Sequence, residues 1–140
     1  MKRAVNALAS LLCAAALSIW GATVLAQTTE QIAKGNAKVC ASVCQDTLSY
    51  CTQNRGRLGE QTVTDALKDC VSACKMAQDF MARGSKLDSK VAAIAVEACT
   101  NAAKTCESFK DDKTMNATAN ECRKTAGNLS KIANRATASK

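Results

Sequence analysis

Residues 39–51 read VCASVCQDTLSYC. The three cysteines in this stretch, Cys40, Cys44 and Cys51, are separated by steps of four and seven residues. Such steps return a side chain to the same face of an α-helix, so the stretch predicts a helix with a row of thiols along one side. Similar spacings recur later in the chain, at Cys70 and Cys74 and at Cys99 and Cys106. Several helices are therefore expected to direct thiols into a common core.

The rest of the chain also favours helices. It contains no proline, and its apolar residues recur with a period near 3.6. The first expected helix covers about residues 29–53. The second runs from a cap at Thr62 to Gly84, and the third from a cap at Ser85 to near Phe109. The fourth runs from a cap at Asp111 or Asp112 to about residue 134. Helices of about 20 residues joined by short turns predict an all-α, up-down-up-down four-helix bundle.

The predicted inward faces combine cysteine and alanine with few large apolar side chains. In helix order they are Ile32, Val39, Cys40, Val43, Cys44, Leu48 and Cys51; Val63, Leu67, Cys70, Cys74, Ala77 and Met81; Val91, Ala92, Ala95, Cys99, Ala102 and Cys106; and Met115, Cys122, Ala126, Leu129 and Ile132. A core lined by such small residues needs support from metal, disulfides or association.

The first 26 residues have the pattern of a secretory signal peptide. Two basic residues precede the apolar run 4–20, and Val24-Leu25-Ala26 supplies the small residues of a cleavage site. The run is short for a retained membrane span. We therefore expect cleavage after residue 26, which leaves 27–140 as a single periplasmic domain with no membrane association. Loss of Cys13 with the signal leaves eight cysteines.

The composition argues against several classes of function. The formal net charge is +7, but the basic residues are scattered rather than gathered into a stripe, and only 3% of residues are aromatic, so no nucleic-acid partner is expected. The chain has no histidine, which excludes Ser-His and Cys-His catalytic pairs and His-ligated metal. Acidic residues such as Asp69, Asp79 and Glu97 show no spacing that marks an acid–base pair. We therefore expect no enzymatic activity.

One interpretation of the eight thiols is a soft-metal site. A CxxxC pair on a helix places two cysteines about 6 Å apart along the axis, from which both thiolates can converge on one Cu(I) ion. Sulfur ligation without imidazole favours Cu(I) over harder ions. Met76, Met81 and Met115 add thioethers, although a packing role is the more ordinary explanation for these three residues.

The other interpretation is a set of disulfides, which suits an exported protein with an even number of cysteines. Folding the two helical hairpins brings Cys44 level with Cys70, Cys40 near Cys74, and Cys99 near Cys122. Cys51 and Cys106 then remain on diagonal helices, normally beyond the roughly 7 Å Cα separation that a disulfide allows. Composition and compartment alone favour disulfides over metal. The matching function would be a disulfide-stapled helical module for protein interaction or envelope stress.

Several short segments of the sequence together resemble the pattern of a known protein family. They are Cys40-Ala-Ser-Val-Cys44, Thr47-Leu48-Ser49-Tyr50-Cys51, Asp69-Cys70 with Cys74, Asp79-Phe80-Met81-Ala82-Arg83-Gly84-Ser85, Glu97-Ala98-Cys99, Cys106-Glu107-Ser108-Phe109 and Glu121-Cys122-Arg123-Lys124. In order and spacing they resemble the cysteine-rich four-helix-bundle copper-binding family, which includes the bacterial copper storage proteins. The resemblance covers nearly all of residues 36–134.

The resemblance implies a function and a set of ligands. Members bind several Cu(I) ions through inward thiolates, often as CxxxC pairs, and can associate into tetramers, so copper ions and further copies of this chain are the expected partners. The implied metal ligands are Cys40, Cys44, Cys51, Cys70, Cys74, Cys99, Cys106 and Cys122. The pairs Cys40 with Cys44 and Cys70 with Cys74 are the strongest candidates.

The chain also departs from the family pattern. Positions that commonly carry cysteine in the family hold Ala92, Ala95, Ala102, Thr118, Thr125 and Leu129, and Asp88 stands where a histidine is common. The first hairpin therefore keeps five thiols and the second only three. The resulting expectation is an exported protein for Cu(I) storage or buffering, of low capacity.

Overall fold

The structure, a computed structural model, describes residues 9–135, with side chains described for Leu25 and for residues 28–135. It contains four α-helices: α1 (Ala9–Asn54), α2 (Gln61–Ala82), α3 (Asp88–Glu107) and α4 (Lys113–Ala133), with a 3₁₀ turn at Gly56–Gly59 between α1 and α2. No strand occurs in this part of the chain. Within the described residues, no helix combines the length and apolar character needed to cross a membrane.

The four helices pack as a ring around one core. Helix α1 contacts α2 and α4, and α3 contacts the same two neighbours. Each helix therefore lies beside the helices that precede and follow it, with α4 closing the ring against α1. This arrangement confirms the predicted up-down-up-down four-helix bundle.

The inward faces of α2 and α3 agree with the sequence-based prediction, because every residue predicted to face inward there is buried. The prediction was wrong for two residues of α1: the side chains of Ile32 and Val39 are 55% and 48% exposed. Ala33 and Ala37 occupy the buried face instead, in register with Cys40. Because alanine lets neighbouring helices approach closely, it lies at the helix contact, and the larger branched residues lie outside it.

Two predicted helix caps are also corrected. Helix α2 begins at Gln61 without a side-chain capping bond, so Thr62 does not cap it. Helix α3 begins at Asp88 rather than directly after Ser85. The Ser85 hydroxyl oxygen instead accepts a hydrogen bond from the Leu87 backbone N–H at 3.2 Å, within the turn that precedes α3. The fourth helix follows the prediction, since Asp112 is its N-cap residue.

The end of α2 is defined by a Schellman motif. The backbone N–H of Gly84 donates to the Met81 carbonyl at 3.2 Å, and that of Ser85 donates to the Phe80 carbonyl at 3.0 Å. These are the two bonds that close a helix when the residue after its cap adopts a left-handed conformation. Gly84 has that conformation, with φ of +61°. The motif turns the chain sharply from α2 into α3.

Helix α1 starts earlier than the sequence pattern predicted. It begins at Ala9, whereas the first helix was expected from about residue 29. Residues 9–26 of the predicted signal peptide therefore belong to the same helix as Cys40, and residues 1–8 lie outside the described part of the chain. Cleavage after residue 26 would leave the thiol-bearing half of α1 intact, and it stays a prediction.

Candidate metal centre

All eight cysteines of residues 27–140 are buried free thiols with no exposed surface. Six of them meet at the centre of the bundle, and every helix contributes at least one. This six-thiol cluster consists of Cys40 and Cys44 from α1, Cys70 and Cys74 from α2, Cys99 from α3 and Cys122 from α4. The helical spacing of the cysteines correctly predicted that they would face inward.

The shortest sulfur contacts in the cluster join neighbouring helices. Cys74 Sγ lies 3.4 Å from Cys99 Sγ, and Cys44 Sγ lies 3.5 Å from Cys122 Sγ. Cys44 Sγ is also 3.6 Å from Cys70 Sγ. These distances are far longer than a disulfide bond of about 2.05 Å. The arrangement is one of separate thiols in contact, and it does not favour the disulfide-stapled alternative.

Sulfur atoms also meet across the bundle axis. Cys70 on α2 and Cys122 on α4 belong to diagonal helices, yet their Sγ atoms are 4.0 Å apart. Buried alanines such as Ala37, Ala77 and Ala95 flank the cluster and leave room for this approach. Because the side chains around the axis are small, the thiols of all four helices reach one another.

The cluster divides into two overlapping groups of four sulfur atoms. In each group all four Sγ atoms lie within 4.8 Å of one another, which is close enough for a shared metal ion. One group contains Cys40, Cys70, Cys74 and Cys99, and the other contains Cys40, Cys44, Cys70 and Cys122. Cys40 and Cys70 belong to both, so these two sulfurs connect the groups. Each CxxxC pair lies within one group, as expected for joint ligation.

Hydrogen bonds among the thiols divide the cluster by acidity. Contact with the Cys122 thiol, followed by that of Cys44, lowers the pKa of Cys40, and contact with Cys122 has the same effect on Cys70. The pKa is raised at the other four members because they hold their protons in hydrogen bonds to neighbouring sulfurs and are buried: Cys44, Cys74, Cys99 and Cys122. Burial opposes ionisation of every member of the cluster, so the thiols lose their protons together with the arrival of a cation that compensates the charge.

Two predicted ligands lie outside both four-sulfur groups. Burial, together with the charge of Cys51, raises the pKa of Cys106 to about 12. The pKa of Cys51 is also raised, first by burial and then by the charge of Asp112. The Sγ atom of Cys51 contacts the Sδ atom of Met115 at 3.7 Å. The sequence offered Met115 as a thioether but favoured a packing role, although its position seven residues before Cys122 places it on the same helix face as the cluster.

Buried hydroxyl groups border the cluster along the bundle. The Oγ1 atoms of Thr47 and Thr118 are 2.7 Å apart, on the side towards Cys51. Towards the opposite end, the Thr125 hydroxyl donates to the Asn36 carbonyl at 3.3 Å. Every buried side-chain nitrogen and oxygen among the described residues has a hydrogen-bond partner. The threonines are therefore satisfied core residues, and the sequence analysis noted Thr118 and Thr125 only as positions where the family commonly has cysteine.

Comparison with known proteins now identifies the family. The copper storage protein family matches residues 9–134. This chain belongs to the copper storage protein family. The match confirms the resemblance drawn from the sequence, and the family consists of storage proteins rather than enzymes. The buried thiols thus occupy the core of a bundle whose family is defined by holding copper.

A solved structure supports the fold of this copper storage family member. The crystal structure of the Nmul_A1745 protein from Nitrosospira multiformis has a TM-score of 0.71 to this chain, with 24% sequence identity. The alignment covers 76% of this chain and 96% of the other. At that identity the likeness concerns the fold alone. No curated protein matches the chain significantly.

Proposed function

We propose that this protein is an exported, low-capacity store or buffer for Cu(I), bound by thiolates in the bundle core. The observation that carries the proposal is the six-thiol cluster, in which cysteines from all four helices lie within reach of common ions. Membership in the copper storage family supports the same function. Catalysis has no part in the proposal.

The ligand set argues for Cu(I) rather than a harder ion. Both four-sulfur groups consist entirely of cysteine, without carboxylate or imidazole. Thiolates select Cu(I) and other thiophilic ions, whereas Ca²⁺, Mg²⁺ and Mn²⁺ prefer oxygen ligands. Complete burial also shields the sulfur atoms from bulk water and larger reagents. A copper ion held there would be protected from exchange until a competing thiol ligand reaches it.

The proposed ligands are all eight core cysteines, with Cys40, Cys44, Cys70 and Cys74 as the principal ones. Both CxxxC pairs lie in the cluster and are completely buried. Cys99 and Cys122 complete the two four-sulfur groups. Cys51 and Cys106 lie further along the bundle and are secondary ligands. Each bound ion replaces thiol protons, so loading should release protons to the solvent.

The low capacity for copper follows from the side chains that surround the thiols in the core. Ala92, Ala95, Ala102 and Leu129 are fully buried in the core, at positions where the family resemblance implies sulfur. These side chains offer no ligand atom. The second hairpin thus contributes three thiols, whereas the first contributes five. The three thiols of the second hairpin limit the number of copper ions that the core can bind.

Export to the periplasm and cleavage after residue 26 complete the proposal. The basic and apolar pattern of the N-terminus supports it. The proposed partners are copper ions and further copies of the chain, in a tetramer like those of the family. Nucleic acid and membrane lipid are not among them.

The test combines copper titration with mass measurement. Protein recovered from the periplasm without reductant is alkylated, and its intact mass is compared with the mass expected for cleavage after residue 26 and eight modified thiols. Reduced protein is then titrated anaerobically with Cu(I) against a competing chelator. We expect several tightly bound equivalents in the wild type and the loss of the tightest ones in the double variant Cys40→Ala/Cys44→Ala. A stoichiometry near zero would refute copper storage, an uncleaved mass would refute cleavage after residue 26, and absence of the protein from the periplasm would refute export.

A further inference from the structure

The sulfur atoms of the core lie at two separate levels along the bundle. Three residues follow or precede a cluster member by seven positions, in the direction that leads towards the α1–α2 turn: Cys51 follows Cys44, Cys106 follows Cys99, and Met115 precedes Cys122. Seven residues of helix rise about 10.5 Å. All three are fully buried. They therefore form a second sulfur level, about two helical turns along the same helices from Cys44, Cys99 and Cys122.

A layer without sulfur separates the two levels. Helices α1 and α4 place Thr47 and Thr118 there, and their hydroxyl groups hydrogen-bond to each other at 2.7 Å. On α2 and α3, Leu67 lies three residues before Cys70 and Ala102 three residues after Cys99, in the same direction along the bundle, and both are completely buried. Neutral hydroxyls engaged with each other are poor ligands for a soft ion, and the aliphatic side chains offer none. These four side chains therefore offer no soft donor between the two levels.

The second level holds a contact between a thiol and a thioether. Cys51 Sγ and Met115 Sδ are 3.7 Å apart. Two soft sulfur atoms at this separation could both contact one Cu(I) ion. Cys106 is the third sulfur at this level. Thiolate with thioether is a soft donor set that favours Cu(I).

We propose that Cys51 and Met115 form a second Cu(I) site, with Cys106 as its third donor, independent of the six-thiol cluster. The inference rests on the proposed function, because it requires that the protein takes up Cu(I). It adds a ligand, Met115, and divides the bound copper into two populations. The mixed donor set also distinguishes the second site chemically from the thiolate-only cluster.

The first test replaces Met115 by leucine, which keeps the volume of the side chain but removes its sulfur. We expect Met115→Leu to lose one Cu(I) equivalent in chelator competition, while the remaining equivalents keep their wild-type affinity. Met81→Leu is the matched control, since Met81 is also a buried methionine but lies on α2 outside the second level. Unchanged stoichiometry in Met115→Leu, or weaker binding at every equivalent, would overturn the proposal.

A second measurement uses the wild-type protein and does not depend on the folding of a variant. With methionine labelled by ¹³C at its methyl group, the Met115 resonance should shift during titration with Cu(I), in a step distinct from the changes caused by filling of the cluster. The Met81 resonance should stay in place. Copper uptake without a shift at Met115 would refute the second site and leave the storage function standing, whereas no uptake at all would refute both.

Discussion

Tyr50 donates its phenolic hydroxyl to Asp112 Oδ2 at 2.8 Å, which links the end of α1 to the start of α4. The other oxygen of the same carboxylate accepts a hydrogen bond from the Met115 backbone N–H at 3.0 Å. One aspartate thus caps α4 and bonds to a tyrosine of α1 that lies 62 residues earlier in the sequence. It also positions the first turn of α4, on which Met115 lies.

Replacement of Asp112 by alanine should destabilise the bundle. Loss of an N-cap costs about 1 kcal/mol, and loss of the Tyr50 bond adds to that cost. Asp111→Ala is the matched control, because Asp111 is an exposed neighbour that does not cap α4. Urea denaturation at neutral pH measures the difference. Equal stability of the two variants would show that Asp112 does not cap the helix.

The contribution of Asp112 should also depend on pH. Hydrogen bonds from the Met115 backbone and then from Tyr50 lower the pKa of this carboxyl below its usual value. A group whose pKa is lowered by folding stabilises the protein above its unfolded pKa, about 3.9, and loses that effect as the pH falls through the folded value. The stability difference between the wild type and Asp112→Ala should therefore shrink below about pH 4. A difference independent of pH would contradict this assignment.

Two glycines should respond to alanine in opposite directions. Gly84 has φ of +61° in the turn after α2, a conformation that a side chain disfavours by roughly 1 kcal/mol, so Gly84→Ala should lower the free energy of unfolding. Gly127 lies within α4, where an added Cβ would meet nothing within 4 Å, so Gly127→Ala should raise it by about 0.5–1 kcal/mol. Thermal unfolding of both variants checks the pair. Shifts of the same sign would contradict this account.

The helix faces show how far the sequence led towards this structure. Steps of four and seven residues correctly predicted that the cysteines face the core, because the period of an α-helix is independent of its neighbours. Exposure of Ile32 and Val39 was not foreseen, since the rotation of α1 depends on how closely Ala33 and Ala37 let the adjacent helices approach. That rotation is a property of the assembled bundle and is not contained in the pattern of one helix.

The candidate site was also predicted only in part from the sequence. Folding the hairpins correctly predicted that Cys44 and Cys70 would be close, and their Sγ atoms are 3.6 Å apart. The shortest contact, between Cys74 and Cys99, joins α2 to α3 and was not predicted. Which sulfur atoms contact one another at the bundle axis depends on helix crossing angles and side-chain rotamers. Both are decided by packing, so sequence spacing could define the set of thiols but not its contacts.

Cys70 should matter more for copper binding than Cys74. Both are fully buried on α2, one turn apart, so their replacement by alanine should disturb packing to a similar degree. Cys70 belongs to both four-sulfur groups, whereas Cys74 belongs to one. We expect Cys70→Ala to weaken binding across the whole cluster and Cys74→Ala to weaken only part of it, by chelator competition with Cu(I). Equal losses in both variants would show that Cys70 does not serve both groups.

Copper should stabilise the fold. An ion that binds only the folded state adds RT ln(1 + [L]/Kd) to the free energy of unfolding, about 2.7 kcal/mol when the free ion is 100-fold above its Kd. Thermal unfolding with and without Cu(I) measures this effect, and a strong chelator should reverse it. Zn²⁺ at the same concentration serves as the comparison, because it also binds thiolates but prefers a tetrahedral set of four ligands. No shift with Cu(I) would contradict ligation in the core.

The six-thiol cluster draws its members from every helix, and Cys40 and Cys122 meet across 82 residues of chain. An ion bound there would act as a reversible cross-link between all four helices, which are otherwise held together by packing and short connections. Resistance to proteolysis should therefore rise with each ion taken up. In a compartment that contains proteases, copper supply would then set the lifetime of the protein, and empty molecules would be removed before loaded ones.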